Sequence, residues 1–226
     1  MSRILGNTEM PGNHRLLRVQ TPADTRVAAG HWFRLGLDHG DLSLPVLDHS
    51  PGEGWLAFCA SQRADHLARG ATCSLDGPHG KALQPATGDR RLVLVSDETG
   101  LPAAVFATMQ LDIHLVLVAL DGEAPAFRLR PSRFLVSGMG PGAIAGVGVL
   151  EDAGVASRVV HASPLPGCRE GALHDLVDDW LADLSARERW DTAVTILGTD
   201  ATVDTLHHQL RGRVGEVHLH PLPGSR

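Results

Sequence analysis

The segment SDETGLPAA, residues 96–104, links the end of an apolar run to the start of a helix-compatible stretch. In an open parallel α/β sheet such a turn lies at the carboxyl end of a strand, where ligands bind, and the free N–H groups of a helix start favour a phosphate. Gly100 would let a ligand approach the backbone, beside Glu98, Thr99 and Leu101. The alternative is a plain strand–turn–helix connection in which Asp97 or Thr99 caps the helix.

A second turn of the same type occurs in LGTDATVDTLHHQL, residues 197–210, where a buried run is followed by Gly198, Thr199 and Asp200. Thr199 is the expected N-cap of the helix that follows. Two glycine turns at strand ends of one sheet could line one crevice, so these residues are candidates for the opposite wall of a nucleotide site.

Two further glycine segments carry weaker signals. In LDGPHGKA, residues 75–82, Gly77, Pro78 and Gly80 form a Gly-Pro-x-Gly pattern, which by itself indicates a structural turn. The glycine-rich stretch 137–158 does not have the spacing of a dinucleotide loop and indicates close helix packing instead.

Other chemistries find no matching pattern. The chain has 13 histidines, but no Asp, Glu or His partner stands at a ligand spacing, so no metal site is predicted. No nucleophile elbow is present. Cys59, Cys73 and Cys168 form no CxxC pair, which argues against a disulfide framework or a cysteine-ligated cluster and favours a reducing cytoplasm.

Composition sets the class of protein. The chain has 226 residues, 43% of them hydrophobic and 20% charged, which is typical of a globular protein of one large or two small domains. The net charge of −6 argues against a nucleic-acid-coating protein. No apolar run approaches the length of a membrane span, and no signal peptide is expected from the first residues.

The elements that must position these segments differ between the two halves. In the first half, short alternating runs separated by turns predict a small antiparallel barrel or sandwich. The predicted strands are 14–20, 31–38, 54–60 and 71–77, with a turn at DHGDLS and room for a short helix in QRADHLARG.

In the second half, buried apolar runs alternate with helical patterns, which predicts an α/β domain with a mostly parallel sheet. The predicted strands are 90–97, 113–121, 133–138, 157–163, 191–198 and 214–222, and the predicted helices are 101–110, 174–188 and 202–212. The boundary is placed between residues 1–86 and 87–226.

Taken in order, these segments resemble the ferredoxin–NADP reductase superfamily, which pairs a flavin-binding barrel with a pyridine-nucleotide domain. GPHG ends the barrel, LVLVSDETGLPA stands where the family has a strand and a Gly-Thr-Gly-like turn, and ILGTDATV stands at the Cys-Gly-Pro segment. RPSRFLVSG, LEDAGVASRVVHAS and GCREGALHDLVDDWL look most like dihydroorotate dehydrogenase electron-transfer subunits. DETGLPA also looks like siderophore-interacting proteins.

The resemblance implies FAD on the barrel and NADH or NADPH on the α/β domain. The cofactor-binding residues that it implies on the barrel are Pro45, Val46, Leu47, Gly77, Pro78 and Gly80. The family's Arg-x-Tyr-Ser/Thr flavin motif falls on Leu44, Pro45, Val46 and Leu47, so the charge, the aromatic platform and the hydroxyl are all missing. The chain contains no Tyr, and Trp32, Phe33, Trp55 and Phe58 are the candidate substitutes for the platform.

In the family, the position of Ser163 often meets the adenosine 2′ position. Pro164 follows it here instead of an Arg, which favours NADH, although Arg169 keeps NADPH open.

Three functions follow from the resemblance. The chain could be a flavin oxidoreductase or electron-transfer subunit that moves electrons from NAD(P)H through FAD to a protein or metal acceptor. It could be a subunit that has lost flavin and binds a nucleotide or a partner protein, or a scaffold without a ligand. An electron-acceptor or catalytic partner and a homodimer are the expected associations.

Overall fold

A computed structural model describes residues 1–37, 40–122, 125–140 and 142–224. The first part forms a closed barrel of six antiparallel strands in the order β1-β2-β5-β4-β3-β6. The strands are β1 (Ser2–Met10), β2 (His14–Gln20), β3 (Trp32–Leu37), β4 (Gly40–Ser50), β5 (Trp55–Ala60) and β6 (Thr72–His79). The antiparallel barrel expected from the alternating runs is therefore confirmed.

The barrel contains two strands that the alternating pattern did not predict. β1 carries a mixed polar sequence, SRILGNTEM, and pairs with β2 along most of its length. β4 begins inside the segment DHGDLS, which was predicted as a turn; Asp38 and His39 of that segment lie outside the described residues. In QRADHLARG, where the sequence leaves room for a short helix, Gln62–Ala64 forms a 3-10 helix of three residues.

The second part contains a parallel sheet in the order β12-β11-β8-β7-β13-β14. Its strands are β7 (Arg91–Ser96), β8 (Leu115–Leu120), β11 (Ala156–His161), β12 (Arg169–Glu170), β13 (Thr192–Gly198) and β14 (Glu216–Pro221). Every residue of β13 is buried, as expected for a strand covered on both faces.

The predicted strand 133–138 is wrong. Residues 133–138 form no strand; instead β9 (Leu129–Pro131) pairs antiparallel with β10 (Ala145–Val147) beside the main sheet. Buried Arg158 donates to the carbonyl of Phe134 at 2.6 Å, and Arg133 donates to the carbonyl of Glu151 at 2.6 Å. Arginine side chains therefore satisfy backbone carbonyls in a region where the apolar residues predicted hydrogen bonding to a neighbouring strand.

The helices are α1 (Leu101–Ala107), α2 (Gly148–Asp152), α3 (Leu173–Asp183), α4 (Ala186–Trp190) and α5 (Asp200–Leu210). The helix predicted over 174–188 is two helices, because Leu184 adopts an extended conformation and Ser185 starts α4 with a capping box to Glu188. No helix within the described ranges has both the length and the apolar character needed to cross a membrane.

The barrel and the α/β part share one apolar core. All seven residues of α1 are buried, and the helix lies against β4 of the barrel. Phe33 and Val46 of the barrel belong to the same buried cluster as Leu101 and Phe106 of α1. The barrel therefore packs directly on the helix that follows the turn at residues 96–100.

Candidate functional site

A crevice opens between the barrel and the carboxyl ends of the parallel strands. Its volume is about 260 Å³. Barrel strands supply one side, and the turns after β7, β8 and β13 supply the other. This crevice is lined by His14, Leu44, Pro45, Cys59, Ser61, Asp97, Glu98, Thr99, Leu101, Pro102, Leu120, Asp121, Ala126, Phe127, Thr199, Thr202 and Pro223.

Some of the residues predicted from sequence meet in the crevice. Pro45 of the barrel, Glu98, Thr99 and Leu101 of the first turn, and Thr199 of the second all line it. The two glycine turns therefore do flank one opening, as their positions at strand ends predicted. The other candidates lie outside its lining: Val46, Leu47, Gly77, Pro78, Gly80, Gly100, Ser163, Gly198 and Asp200.

The carboxylate of Asp97 joins the two turns from inside. Its Oδ1 accepts the N–H of Gly100 at 3.1 Å, and its Oδ2 accepts the N–H of Thr199 at 2.8 Å and the hydroxyl of Thr202 at 2.7 Å. Asp97 is 7% exposed, so these bonds compensate a charge that is nearly out of water. Thr199 is the N-cap of α5, as expected.

The bonds to Asp97 use N–H groups that the sequence analysis offered to a phosphate. The negative charge expected at the start of α5 is supplied by Asp97 of the chain itself. On the other side, α1 is only seven residues long, and Asp97 accepts the N–H of Gly100. One N–H at each helix start, that of Gly100 and that of Thr199, thus holds the two turns together.

Packing requires that the two turn glycines have no side chain. A Cβ on Gly100 would lie 2.8 Å from the backbone of Leu197, and a Cβ on Gly198 would lie 2.5 Å from the carboxylate of Asp97. Gly198 also has φ +152°, which disfavours other residues. That these glycines let a nucleotide approach the backbone stays a prediction.

Glu98 is a second acidic side chain in the lining of the crevice. Its Oε1 is withdrawn from solvent and has no hydrogen-bond partner, and the nearest basic group, Nε2 of His14, is 3.9 Å away. Burial, and secondly the charge of Glu98, raise the pKa of the Cys59 thiol to about 12. Cys59 is therefore a neutral thiol in the wall of the crevice.

A second cavity of about 340 Å³ continues from the crevice along the same sheet edge. The two share Asp97, Leu120, Asp121 and Thr202. Among the described residues, neither lining includes a Lys or an Arg. Negative charge therefore predominates along the edge where the resemblance places nucleotide phosphates.

Of the two residues considered for adenosine recognition, Arg169 is engaged within the protein and the side chain of Ser163 is not. Ser163 is exposed, and its backbone is bonded to the imidazole of His161. Arg169 forms ion pairs with Asp179 and Asp175 of α3. The cation that kept NADPH open is thus already paired within the protein.

The barrel also lacks the charged, aromatic and hydroxyl side chains through which the resembling family binds FAD. Val46, at the position of the stacking Tyr, is 0% exposed and lies opposite Phe58 across β4 and β5. Leu44 and Leu47, at the positions of the Arg and the hydroxyl, are buried and apolar. The residues present therefore do not fit FAD bound through this motif.

Only one of the four substitute aromatic rings is placed to help. Phe33 and Phe58 are fully buried, and Trp55 is held by Arg18 and Glu53. Trp32 is partly exposed and lies opposite Pro45 of the crevice across β3 and β4. Its ring packs against that of His79, with centroids 4.5 Å apart and the ring planes tilted by 33°.

On the barrel side of the crevice, sequence reasoning identified Pro45 but missed His14 and Cys59, and it also missed the segment after β8. His14 and Cys59 come from β2 and β5, and Asp121 and Phe127 follow β8. The position of Asp121 directly after a buried strand was a usable signal, since strand ends meet at one edge. The sequence carries no signal for His14 and Cys59, because strand order in the barrel decides where they lie.

Within the described ranges no three His, Cys, Asp or Glu side chains gather as metal ligands would.

No family model and no curated protein matches the chain. Among solved structures, it is similar to an Amycolatopsis cytochrome P450 reductase with TM-score 0.69 and 18% identity, covering 100% of this chain and 70% of that one. It is similar to an NADH-dependent reduced ferredoxin–NADP oxidoreductase with TM-score 0.68 and 13% identity, covering 99% and 77%.

The siderophore-interacting protein SipS of Aeromonas hydrophila is similar with TM-score 0.62 and 14% identity, covering 97% of this chain and 95% of that one. The particular likeness to dihydroorotate dehydrogenase subunits stays a prediction. The barrel, the parallel sheet and these likenesses together give the chain the ferredoxin reductase-like fold.

Proposed function

We propose that this chain is a ligand-binding member of the ferredoxin reductase-like fold that does not hold FAD through the family's motif. Its crevice binds a small molecule that lacks phosphate groups. The observation that carries the proposal is the charge of the lining: Glu98 and Asp121 contribute to it, and no Lys or Arg among the described residues does. A pyrophosphate would meet carboxylates there without a cation to offset them.

The size and walls of the crevice support a compact ligand. Its volume of about 260 Å³ lies just below the usual range for pockets that enclose drug-sized molecules. Leu44, Pro45 and Phe127 give it apolar surface, while Ser61 and Thr99 offer hydroxyls. This mixture suits a small ring or a short apolar body with a few polar atoms.

A second candidate is the flavin oxidoreductase that the resemblance implies, passing electrons from NAD(P)H to a protein or metal acceptor. The position of Trp32 favours it, because this ring is partly exposed and lies across from Pro45 at the crevice. Reductase activity, the acceptor, a homodimer and a cytoplasmic location all stay predictions under this candidate.

Flavin binding separates the two. We expect the purified protein to be colourless in the visible range, and FAD fluorescence to be unquenched by protein up to about 100 µM. The matched variant is Trp32→Leu, which removes the candidate platform and leaves the crevice lining unchanged.

Retention of FAD through purification, with loss in Trp32→Leu, would refute our first proposal and support the oxidoreductase. Retention of FAD in both proteins would show that neither interpretation of the barrel residues is right. Absence of FAD from both, together with a thermal shift from phosphate-free ring compounds, is the result we expect.

A further inference from the structure

We infer that one wall of the crevice is held by a clasp that acid releases, formed by His220 of β14 and the barrel loop of residues 28–31. The inference rests on the proposed function, because it concerns access to the same crevice. Its basis is a contact between distant parts of the chain, in which Nε2 of His220 donates to the carbonyl of Gly30 at 2.8 Å. His31 follows Gly30 directly, so two imidazoles interact where β14 contacts the barrel.

The segment that follows β14 supplies the wall in question. Pro223 lines the crevice, and the buried Leu222 donates its N–H to the carbonyl of Gly198 at 2.7 Å. His220 lies two residues before Leu222, so its bond to Gly30 anchors this segment at the barrel. Loss of that anchor leaves the wall held by Leu222 alone.

The turn that presents Gly30 depends on a neutral imidazole. Nδ1 of His31 accepts the N–H of Ala28 at 3.2 Å, and an imidazole nitrogen can accept only while it carries no proton. Protonation of His31 therefore breaks this bond. The same turn places Ala29, whose carbonyl accepts the N–H of Leu83 and whose N–H donates to the side chain of Gln110, each at 2.8 Å. A change at His31 is thus felt at each attachment of the turn.

The charged groups around the clasp do not favour a second proton. Lys81, on the segment after β6, adds a positive charge near His220. On β14 itself, Glu216 and His218 pair with each other at 2.7 Å. The attachments from β4 and from the segment after α1 are made by a backbone N–H and an uncharged amide. Among the described residues, no carboxylate forms an ion pair with His31, His220 or Lys81.

Acid therefore favours the open clasp. Burial lowers the pKa of both imidazoles; His220 lowers that of His31 further, while for His220 the Gly30 bond opposes the shift and Lys81 adds to it. Both bases bind protons more readily once the clasp is open and their pKa values return toward about 6.5. Below that pH, the equilibrium constant for opening rises by up to about tenfold per pH unit for each imidazole.

Amide hydrogen exchange of the full chain tests the clasp without any ligand. From about pH 7.5 to about pH 5.5, and after correction for the intrinsic pH dependence of exchange, the N–H groups of Leu83 and Leu222 should lose about tenfold or more in protection. Ile196, in the middle of β13, should keep its protection. In His31→Gln the side chain can still accept the N–H of Ala28 but cannot titrate, so the loss should shrink to about threefold or less.

His220→Gln keeps a donor for the carbonyl of Gly30 and should reduce the acid effect in the same way. The control is His208→Gln, at an exposed position of α5, which should lose protection as the parent protein does. The inference is wrong if Leu83 and Leu222 keep their protection in acid, or if both Gln variants at the clasp lose it as the parent does. An equal loss at Ile196 would also overturn it, because that result means global unfolding.

The two proposals fail in distinguishable ways. Exchange without a local acid effect would overturn the clasp and leave a phosphate-free ligand site standing. Stoichiometric FAD in the purified protein would overturn the proposed function itself, whatever the exchange of Leu83 and Leu222 shows.

Discussion

The hydroxyl of Thr202 in α5 donates a 2.7 Å hydrogen bond to the carboxylate of Asp97, which follows β7 more than a hundred residues earlier in the chain. The same carboxylate oxygen accepts the N–H of Thr199, and the other oxygen accepts the N–H of Gly100. One buried side chain therefore fixes the distance between the two turns that frame the crevice. This bond network makes Asp97 a structural centre of the site, separate from any ligand.

Replacing Asp97 should therefore destabilise the fold. We expect Asp97→Ala to lower the free energy of unfolding by about 3 kcal/mol, since it removes a charged acceptor and leaves buried donors unpaired. Asp97→Asn keeps an acceptor oxygen and should cost about half as much. Urea unfolding measures both, with the exposed Asp204→Asn as control. Equal stability of Asp97→Ala and the parent protein would contradict this role.

Stability should fall as the pH drops from about 7 to about 5, and His220 should account for part of the loss. His220 is 7% exposed, and its Nε2 donates to the carbonyl of Gly30, so it joins the edge strand β14 to the barrel. Burial lowers the pKa of His220, and the charge of Lys81 lowers it further, against an opposing effect of the Gly30 hydrogen bond. The pKa of the adjacent His31 is lowered by burial and by His220.

The direction of the pH dependence follows from the lowered pKa values of His220 and His31. A base whose pKa is lower in the folded state takes up its proton more readily in the unfolded chain, so acid favours unfolding. The contribution is fully present above the unfolded pKa near 6.5 and is lost as the pH falls below it. His220→Gln should flatten the pH dependence of the unfolding free energy in this window. The exposed His208→Gln should leave its slope unchanged.

The thiol of Cys59 should be unreactive in the native protein. With a pKa of about 12, its thiolate fraction at pH 8 is lower than that of a free cysteine by about a thousandfold. Mass spectrometry after brief iodoacetamide treatment should find Cys59 unmodified in the folded protein and modified in urea. Rapid labelling of Cys59 in the native protein would show that its thiol is more accessible to the reagent, or has a lower pKa, than its burial beside Glu98 implies.

Sequence patterns predicted the strands of the buried parallel sheet. β7, β8 and β13 are mostly apolar runs, and the turns at the ends of β7 and β13 could be located because Gly100 and Gly198 mark them. β1 and β4 were missed for the opposite reason. Their sequences are mixed, and barrel closure rather than their own pattern makes them strands.

The role of the turn residues could not be predicted in the same way. Asp97 and Thr202 are far apart in sequence, and their contact depends on the parallel pairing of β7 with β13. A glycine that accommodates a carboxylate looks the same in sequence as one that accommodates a phosphate. The distinction requires the position of the neighbouring side chain, which only the packed structure supplies.

The two turn glycines give the sharpest test of this packing. Gly198→Ala should lower the unfolding free energy by about 2–3 kcal/mol, because its Cβ would meet the Asp97 carboxylate at 2.5 Å and because φ is +152°. Gly100→Ala should cost about 2 kcal/mol from overpacking against Leu197. Gly40→Ala is the control for backbone strain alone, since Gly40 has φ +123° and an open Cβ position, and should cost about 1–2 kcal/mol.

A double-mutant cycle separates the two contributions at Gly198. In an Asp97→Ala background the carboxylate is gone, so Gly198→Ala should cost no more than Gly40→Ala does in the parent protein. A coupling energy of about 1–2 kcal/mol between positions 97 and 198 is therefore expected from urea unfolding of the four proteins. Additive effects would mean that Gly198 is required by its backbone conformation alone, and that room for the Asp97 carboxylate is not what fixes glycine at this turn.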